Sequence, residues 1–467
     1  MLVGSAAQAQ FETRANFFVG LTGPTAAAVG DFNGDGTPDL AVVTISPAVS
    51  VEILLGNGDG TFRQGPTYPV GTFPYYVSMG SLRNNGVLDL VLNDKASDNV
   101  WVMLGNGDGT FQPAVAYHTT AESYMVALGD FTGNGTLDII ATEGYNKAGT
   151  FDCNCVEVLL GNGDGTFEAP ITTTLPYGLT AYSIAIGDFN DDGKLDVAAA
   201  GESLPSFENA ILLGNGDGTF NPDGYYPVGY APGSIAAGYF TSSKNRLDLA
   251  VVANVAGTMS VLLGNGQGEF HDSTYSVPTA PVWVIAEDLD NDGKVDLAVA
   301  DAGNPPGVTV YKGNGNGTFQ KGVFYRAGTD EGGDYVAAGD FNGDHKTDLI
   351  VVDEVNGLIT TLLNSGVVSF SPTTPLNFKK QAVGTTSPPL MVSLTNTGSK
   401  ALKIASMKAS AEFGVTSTCG TSVAAGAKCS ISVTFSPTQK GAKQGTITII
   451  DSASSKPQVI EVLGTGT

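Results

Sequence analysis

The chain has 467 residues, too many for one ordinary domain, and it carries a net charge of −24 with only 15% charged residues. That balance excludes nucleic acid as a partner, because phosphate binding needs a basic surface. No apolar run approaches the roughly 18 residues that a membrane helix requires, so no transmembrane segment is expected.

Residues 1–10, MLVGSAAQAQ, contain Ala7-Gln8-Ala9, a small-x-small pattern like a signal cleavage site. The segment reads as the remnant of a secretion signal, the alternative being an ordinary terminus. From there to residue 370 the chain repeats. The string Asp-x-Asn-x-Asp-Gly-x-x-Asp, intact or worn, starts at Asp31, Ser81, Asp130, Asp188, Tyr239, Asp288 and Asp340. Each copy is followed by the same order of parts. In the third, a short apolar run at 124–129 (A) precedes the acidic loop at 130–138, then come runs at 137–142 (B) and 156–160 (C), a turn at 161–167 and a last run (D). The runs are rich in Val, Ile and Leu and bounded by Gly and Asn, which is strand grammar, and no stretch keeps a helical period. Repeats of strands at a period of about fifty residues mark a β-propeller, and seven copies mean seven blades.

The turn Gly-Asn-Gly-Asp-Gly-Thr-Phe begins at Gly56, Gly105, Gly161 and Gly214, is altered at Gly264 and Gly313, and is worn at 363–370. Its Asn-Gly pairs favour the positive φ of tight hairpins. Asp59, Asp108, Asp164 and Asp217 become Gln267 and Asn316 in other copies, so the string is read as a structural turn and not a second metal site. Residues 11–20 match the segments that come after this turn in other repeats, for example 62–71. They are a D run without A, B or C, while the seventh repeat stops after its C run at 358–363. The expectation is that 11–20 closes blade 7 as its outer strand and leaves no open edge. A Ser/Thr/Pro linker is placed at 371–375. Residues 376–467 lack the acidic string, and their alternating runs at 390–395, 429–435 and 444–450 suggest an immunoglobulin-like sandwich. The expected fold is all-β: a seven-bladed β-propeller over 11–370, then an immunoglobulin-like β-sandwich.

Calcium takes six to eight hard oxygen ligands, and a turn with carboxylate or amide oxygens at positions 1, 3 and 5, a Gly bend at 6 and an Asp at 9 wraps them around one centre. Four to five Ca2+ sites are expected. The sixth loop is strongest, with Asp288, Asp290, Asp292 and Asp296. The first (Asp31, Asn33, Asp35, Asp39) and the fourth (Asp188, Asn190, Asp192, Asp196) are next in strength. The seventh (Asp340, Asn342, Asp344, Asp348) has His345 at the bend, and the third (Asp130, Thr132, Asn134, Asp138) has two carboxylates. The second places Arg83 in the loop and the fifth is basic and one residue longer, so no ion is expected in either. Five divalent ions carry +10 and would leave about −14 of the −24, relieving much of the self-repulsion.

Cys419 and Cys429 flank a loop between two strand-like runs and are expected to form a disulfide, which implies an oxidising compartment. Cys153 and Cys155 stand two apart, near the upper distance limit for a bridge, so a strained disulfide and two free thiols are equally acceptable.

The A–B and C–D connections share one propeller face and the D–A and B–C loops the other, which is left for variable chemistry. Counting back from the end of strand A gives Tyr76 (beside Tyr75), Tyr124, Tyr182, Trp283 and Tyr335. Counting past the last loop Asp gives Asp94, Glu143, Glu202, Asp301 and Asp353, whereas blades 1 and 5 have Thr44 and Asn254. A funnel of aromatics and carboxylates would suit sugar stacking or a cationic peptide, with packing between blades as the alternative. No catalytic residues are expected: His118, His271 and His345 share no register, and no known catalytic string is present.

The strings DFNGDG and LLGNGDGTF resemble the FG-GAP/VCBS family, the blades of integrin α-subunit propellers and many bacterial surface proteins, over roughly 11–370. The resemblance implies seven blades, calcium in the A–B loops, and ligand recognition on the opposite face, frequently in adhesion or glycan binding. Asn396-Thr-Gly398 and 433–437 resemble, more loosely, the abnormal-spindle/hydin immunoglobulin-like module. The function expected is a secreted or cell-surface, non-catalytic calcium-binding protein that recognises a glycan or an extracellular protein. The alternatives are a polysaccharide-active enzyme using the acidic funnel and a structural surface component.

Overall fold

The computed structural model describes residues 11–18, 23–46, 48–145, 151–203, 206–243, 246–277, 280–328, 332–364, 368–371, 376–396, 401–452 and 458–467. The expected signal remnant, 1–10, lies outside them. The chain divides into two compact units, one holding Thr13–Gly343 and Thr347–Leu363 and the other built around Asn364–Thr467.

The first unit is the propeller: seven antiparallel sheets of four strands, six of them consecutive in sequence. Blade 1 is Pro24–Gly30, Asp39–Thr44, Ser50–Gly56 and Phe62–Pro69; blade 2 is Pro74–Gly80, Asp89–Asp94, Asn99–Met103 and Val115–His118; blade 3 is Ser123–Gly129, Asp138–Tyr145, Phe151–Leu159 and Ile171–Thr174. Blades 4, 5 and 6 begin at Thr180, Pro232 and Pro281. Blade 7 takes Tyr335–Gly339, Asp348–Asp353 and Leu358–Asn364 from the end of the repeat and Phe11–Phe18 as its outer strand, as the repeat pattern implies. Thr360 donates its hydroxyl to Asn16 Oδ1 at 3.0 Å across that closure.

Strand position explains strand sequence. Strand B lies second in its sheet with neighbouring blades over both faces, so Asp39–Thr44, Asp89–Asp94, Asp248–Ala253, Asp296–Asp301 and Asp348–Asp353 are buried at every residue and read as continuous Val/Leu/Ala runs. The outer strand Phe62–Pro69 is largely exposed, and its sequence is correspondingly polar. Among the described residues the only helical turn is Pro176–Gly178.

The blades are stitched by the two repeated strings together. The Phe at loop position 2 of one blade meets the Phe of the GNGDGTF turn in the next edge-on: Phe32 with Phe111, Phe131 with Phe220, Phe189 with Phe270, Phe240 with Phe319, at ring-centroid separations of 5.3–5.9 Å. A backbone bond accompanies the contact, as from Gly109 N–H to Phe32 O at 2.8 Å and from Gly317 N–H to Phe240 O at 2.8 Å. The ring closes with the same device: Gly60 N–H donates to Phe341 O at 2.9 Å and Phe62 packs on Phe341 at 5.7 Å.

The second unit is a sandwich of a four-stranded and a five-stranded sheet. Its core includes Val392, Leu394, Ile431, Val433, Phe435, Ile447, Ile449 and Val462. Val368–Ser371 pairs antiparallel with Leu390–Asn396, so these residues belong to the sandwich. The sequence reading put 368–370 in the propeller because the worn turn at 363–370 hid the change of pattern. Of the linker placed at 371–375, only Ser371 is described. Cys419 and Cys429 form the expected disulfide, with Cα atoms 4.9 Å apart. Cys153 and Cys155 are also bridged, which decides between the two readings of that pair.

Candidate calcium loops and ligand face

The acidic loops are shaped by left-handed residues at two positions, 4 and 6. Gly34 and Gly36, Asp191 and Gly193, Asn291 and Gly293, and Gly343 and His345 all have φ between 55° and 84°. The sequence argument found only the second bend, because position 4 is Gly in some loops and Asp or Asn in others, the residues that best tolerate this conformation. Position 1 closes the loop on itself: Asp31 accepts from the amides of Gly34, Asp35 and Gly36 at 2.8–3.1 Å, and Asp188 and Asp288 repeat the pattern with Asp192 and Gly193, and with Asp292 and Gly293.

The Asp at position 9 has a second duty that the sequence argument missed. Asp39 takes the Phe32 amide on one oxygen and the Gly56 amide on the other, at 3.0 and 2.8 Å. It thereby clamps the A–B loop to the C–D turn inside one blade. Asp138, Asp196 and Asp296 do the same with Phe131 and Gly161, Phe189 and Gly214, and Leu289 and Gly313. So do Asp89, with Leu82 and Gly105, and Asp248, with Phe240 and Gly264, in the two blades whose loops lack the other ligands. Retention there shows that the clamp stands apart from metal binding.

Electrostatics separates the loops. Burial raises the pKa of Asp39, with like charge from Asp35 and Asp31 adding to it, and Asp138 rises the same way, beside Asp130. Asp196 is pushed up to about 6 by burial, with Asp188 and Asp192 alongside, and Asp296 to about 7 by burial, with Asp290 alongside. In each, the charged carboxylate is disfavoured unless a proton or a cation offsets it. In blade 2 the protein supplies its own: Arg83 donates to Asp89 Oδ1 at 2.6 Å and to Gly105 O at 2.6 Å. In blade 5 burial also raises Asp248, with the amides of Gly264, Phe240 and Thr241 and then the charge of Arg246 pulling the other way.

In the sixth loop, oxygens of Asp288, Asp290 and Asp296 lie within 4.8 Å of one another, a donor set that fits calcium. Asp290 and Asp292 there hold Lys312 and Lys294 at 2.8 and 2.6 Å, ammonium groups that an ion would displace. The GNGDGTF aspartates sit in side-chain turns: Asp59 accepts from the amide and hydroxyl of Thr61, Asp108 from Thr110, Asp164 from Thr166 and Asp217 from Thr219, while Asn316 does the same with Thr318.

On the opposite face the expected funnel is filled. Tyr76 of blade 2 stacks on Trp283 of blade 6 at 5.3 Å and meets Tyr335 of blade 7 at 6.1 Å, and Trp283 lies 4.8 Å from Tyr335. These three rings pack on one another across the ring of blades, so the contact between blades decides their placement. Tyr124 packs edge-on to Tyr182 at 5.3 Å. The carboxylates turn into the protein. Asp94 accepts from the amides of Thr72, Phe73 and Ala96 and from the Trp101 indole. Asp353 holds Asn356, Asp301 holds the Gly303 amide, and Glu202 takes the Tyr182 hydroxyl. Glu143 is fully buried. Counting from strand ends located these residues, but whether they faced the opening depended on packing.

What the face does present is a rim. Four of the exposed large apolar residues lie on its loops: Phe73 (37% exposed), Tyr230 (53%), Val255 (65%) and Val355 (62%). Beside Phe73, the Lys95 ammonium lies 3.1 Å from the Tyr75 ring centre and 5.4 Å from that of Tyr124. Burial pulls the Lys95 pKa down to about 8, against an opposing pull from Glu354. Tyr75 is pushed up to about 12 by burial and by the charges of Glu354 and Asp334. The sequence held one signal of this rim: Asn254-Val-Ala-Gly257 and Glu354-Val-Asn-Gly357 each put a valine where a turn needs none.

The fold and loops define a seven-bladed β-propeller with acidic A–B loops, followed by an immunoglobulin-like domain. The FG-GAP-like repeat model matches residues 31–92, 82–141, 144–199, 244–299 and 288–351, and the chain belongs to that family. Residues 366–459 match the Abnormal spindle-like microcephaly-associated, ASPM-SPD-2-Hydin domain. Among solved structures the chain is similar to BBS1N in complex with ARL6DN (11% identity, TM-score 0.54, 76% of this chain and 97% of that one). It is similar also to a Bacteroides fragilis protein described as a candidate 6-phosphogluconolactonase (15%, 0.51, 70% and 94%). A third is an Agrocybe aegerita lectin recognising non-reducing terminal N-acetylglucosamine (19%, 0.47, 72% and 87%). No curated protein matches the chain.

Proposed function

We propose that this is an extracellular or cell-surface recognition protein, non-catalytic, whose calcium-loaded loops brace the propeller while the D–A and B–C loops bind a glycan or an extracellular protein. The observation that carries the reading is the rim: four exposed apolar side chains and a half-buried lysine, all on D–A or B–C loops of one face, at blades 2, 5 and 7. Two disulfides among the described residues support an oxidising compartment. Loops 1, 3, 4, 6 and 7 hold the ions in this reading, with the sixth the tightest because three of its carboxylates already converge. A glycan array and surface plasmon resonance against extracellular proteins, run with wild type and with the pair Tyr75→Ala and Lys95→Ala, test it. Binding lost in the pair supports the rim, and binding that survives removes it.

A second reading, a polysaccharide-active enzyme, draws on Lys95, since an amine with a pKa near 8 beside two tyrosines resembles catalytic environments. Of the funnel carboxylates, Asp94 and Asp353 accept hydrogen bonds from loop amides. Polysaccharide turnover that disappears in Lys95→Met would favour this reading over the first.

A further inference from the structure

Blade 3 carries two glutamates on the face that it turns toward blade 2. Strand register sets Ala141 opposite Glu157 and Glu143 opposite Cys155, which makes Glu143 and Glu157 diagonal neighbours on one side of the sheet, within reach of each other's long side chains. Ala141 and Leu159, on that same side, pack with Val100 and Val102 of blade 2, so this is the seam between the two blades.

Blade 2 holds different chemistry at the corresponding places. There the carboxylate is Asp94 and the strand C residue is Trp101, whose indole N–H donates to it at 3.3 Å. Blade 3 replaces that donor with a second carboxylate. Glu157 is served by the Thr120 amide at 3.0 Å, by the Thr172 hydroxyl at 2.9 Å and by the Thr120 hydroxyl. Glu143 is 0% exposed, and neither of its carboxyl oxygens meets a donor at good hydrogen-bond geometry; the Ala121 amide is near enough to favour its charged form, and burial outweighs it. The charges that act on it most are those of Glu157 and Asp98, both negative. A buried carboxylate in such a place either gives up its charge or meets a cation.

We propose that the seam between blades 2 and 3 is a site for a hard divalent cation of the calcium type, held by the carboxylates of Glu143 and Glu157, with the hydroxyl oxygens of Thr120 and Thr172 beside it and Asp98 adding negative charge. The donors are all oxygen, as such an ion requires. The site lies at the far end of strand B from the acidic loop of the same blade, and it does not depend on any loop being filled.

Crystals of the full chain grown with manganese, which scatters anomalously, test the proposal. The expected result is a peak between Glu143 and Glu157 that vanishes in Glu143→Gln and in Glu157→Gln, while the peak at Asp288, Asp290 and Asp296 persists. In solution at pH 7, Glu143→Gln should bind one calcium equivalent fewer per chain. A wild-type map with the sixth loop filled and the seam empty overturns the proposal, as does a structure in which the two carboxyls close to hydrogen-bond distance around a proton, or an unchanged stoichiometry in Glu143→Gln. If a variant fails to fold, the wild-type map decides alone. A filled seam beside an empty sixth loop would instead retain this site and remove calcium from the loops.

Discussion

Lys95 shows how one side chain takes its chemistry from its surroundings. Its ammonium is half-buried over Tyr75, and burial favours the neutral amine, so the folded pKa falls from 10.5 to about 8. For a lowered lysine the contribution to stability is present above the unfolded value, near 10.5, and is lost as pH falls through about 8, because below that both states carry the proton and the native one must hold the charge half out of water. Acylation of the intact protein by an amine-directed reagent, read by peptide mass spectrometry, should therefore show Lys95 half-reactive near pH 8, below the range of an ordinary exposed lysine. A profile for Lys95 that tracks the exposed lysines would remove the desolvated amine. In sequence this residue is one of 22 basic positions, and nothing local distinguishes it.

At the level of the element, the acidic loop is a folding device before it is a metal site. The carboxylate of Asp248 fixes two buried amides in a blade whose loop offers no ligand set, joining the strand A end to the C–D turn. Bonds from amides to a charged acceptor are worth about 1.5–3 kcal/mol each, so Asp248→Ala should destabilise the propeller by roughly 3–5 kcal/mol, measured by urea unfolding, and by the same amount with calcium or EDTA. A loss confined to calcium buffer would show that the residue acts through an ion. The string DxNxDGxxD was plain in the sequence, as were its weak copies. The double role of its last Asp was not, because the Gly56-type amide that it accepts comes from a turn sixteen to twenty-three residues away, as for Gly105, Gly214 and Gly161.

For the whole molecule, the balance of charge at the loop rim matters most. Asp39, Asp138, Asp196 and Asp296 are buried beside further carboxylates, whereas blades 2 and 5 have Arg83 and Arg246. Cations bound to the native state only would add RT ln(1 + [L]/Kd) per site, about 2.7 kcal/mol at a hundredfold excess over Kd. Chelation with EDTA should lower the melting temperature of the propeller by several degrees and leave the sandwich transition in place, as differential scanning calorimetry would record. A propeller transition indifferent to EDTA would remove the ions from its stability. Strand count, repeat number, blade closure by 11–18 and the Cys419–Cys429 bridge were all set by local pattern, since each blade needs its own apolar runs and turn residues. What lay beyond the sequence was direction. The rings of Tyr76, Trp283 and Tyr335 come from blades 2, 6 and 7, more than two hundred residues apart at the extremes, and only closing the circle brings them into one stack. Asp94 and Asp353 turn to amides of neighbouring loops, while Phe73, Tyr230, Val255 and Val355 stay exposed. Periodicity in a chain specifies which residues are equivalent; only the packed ring specifies which of them meet.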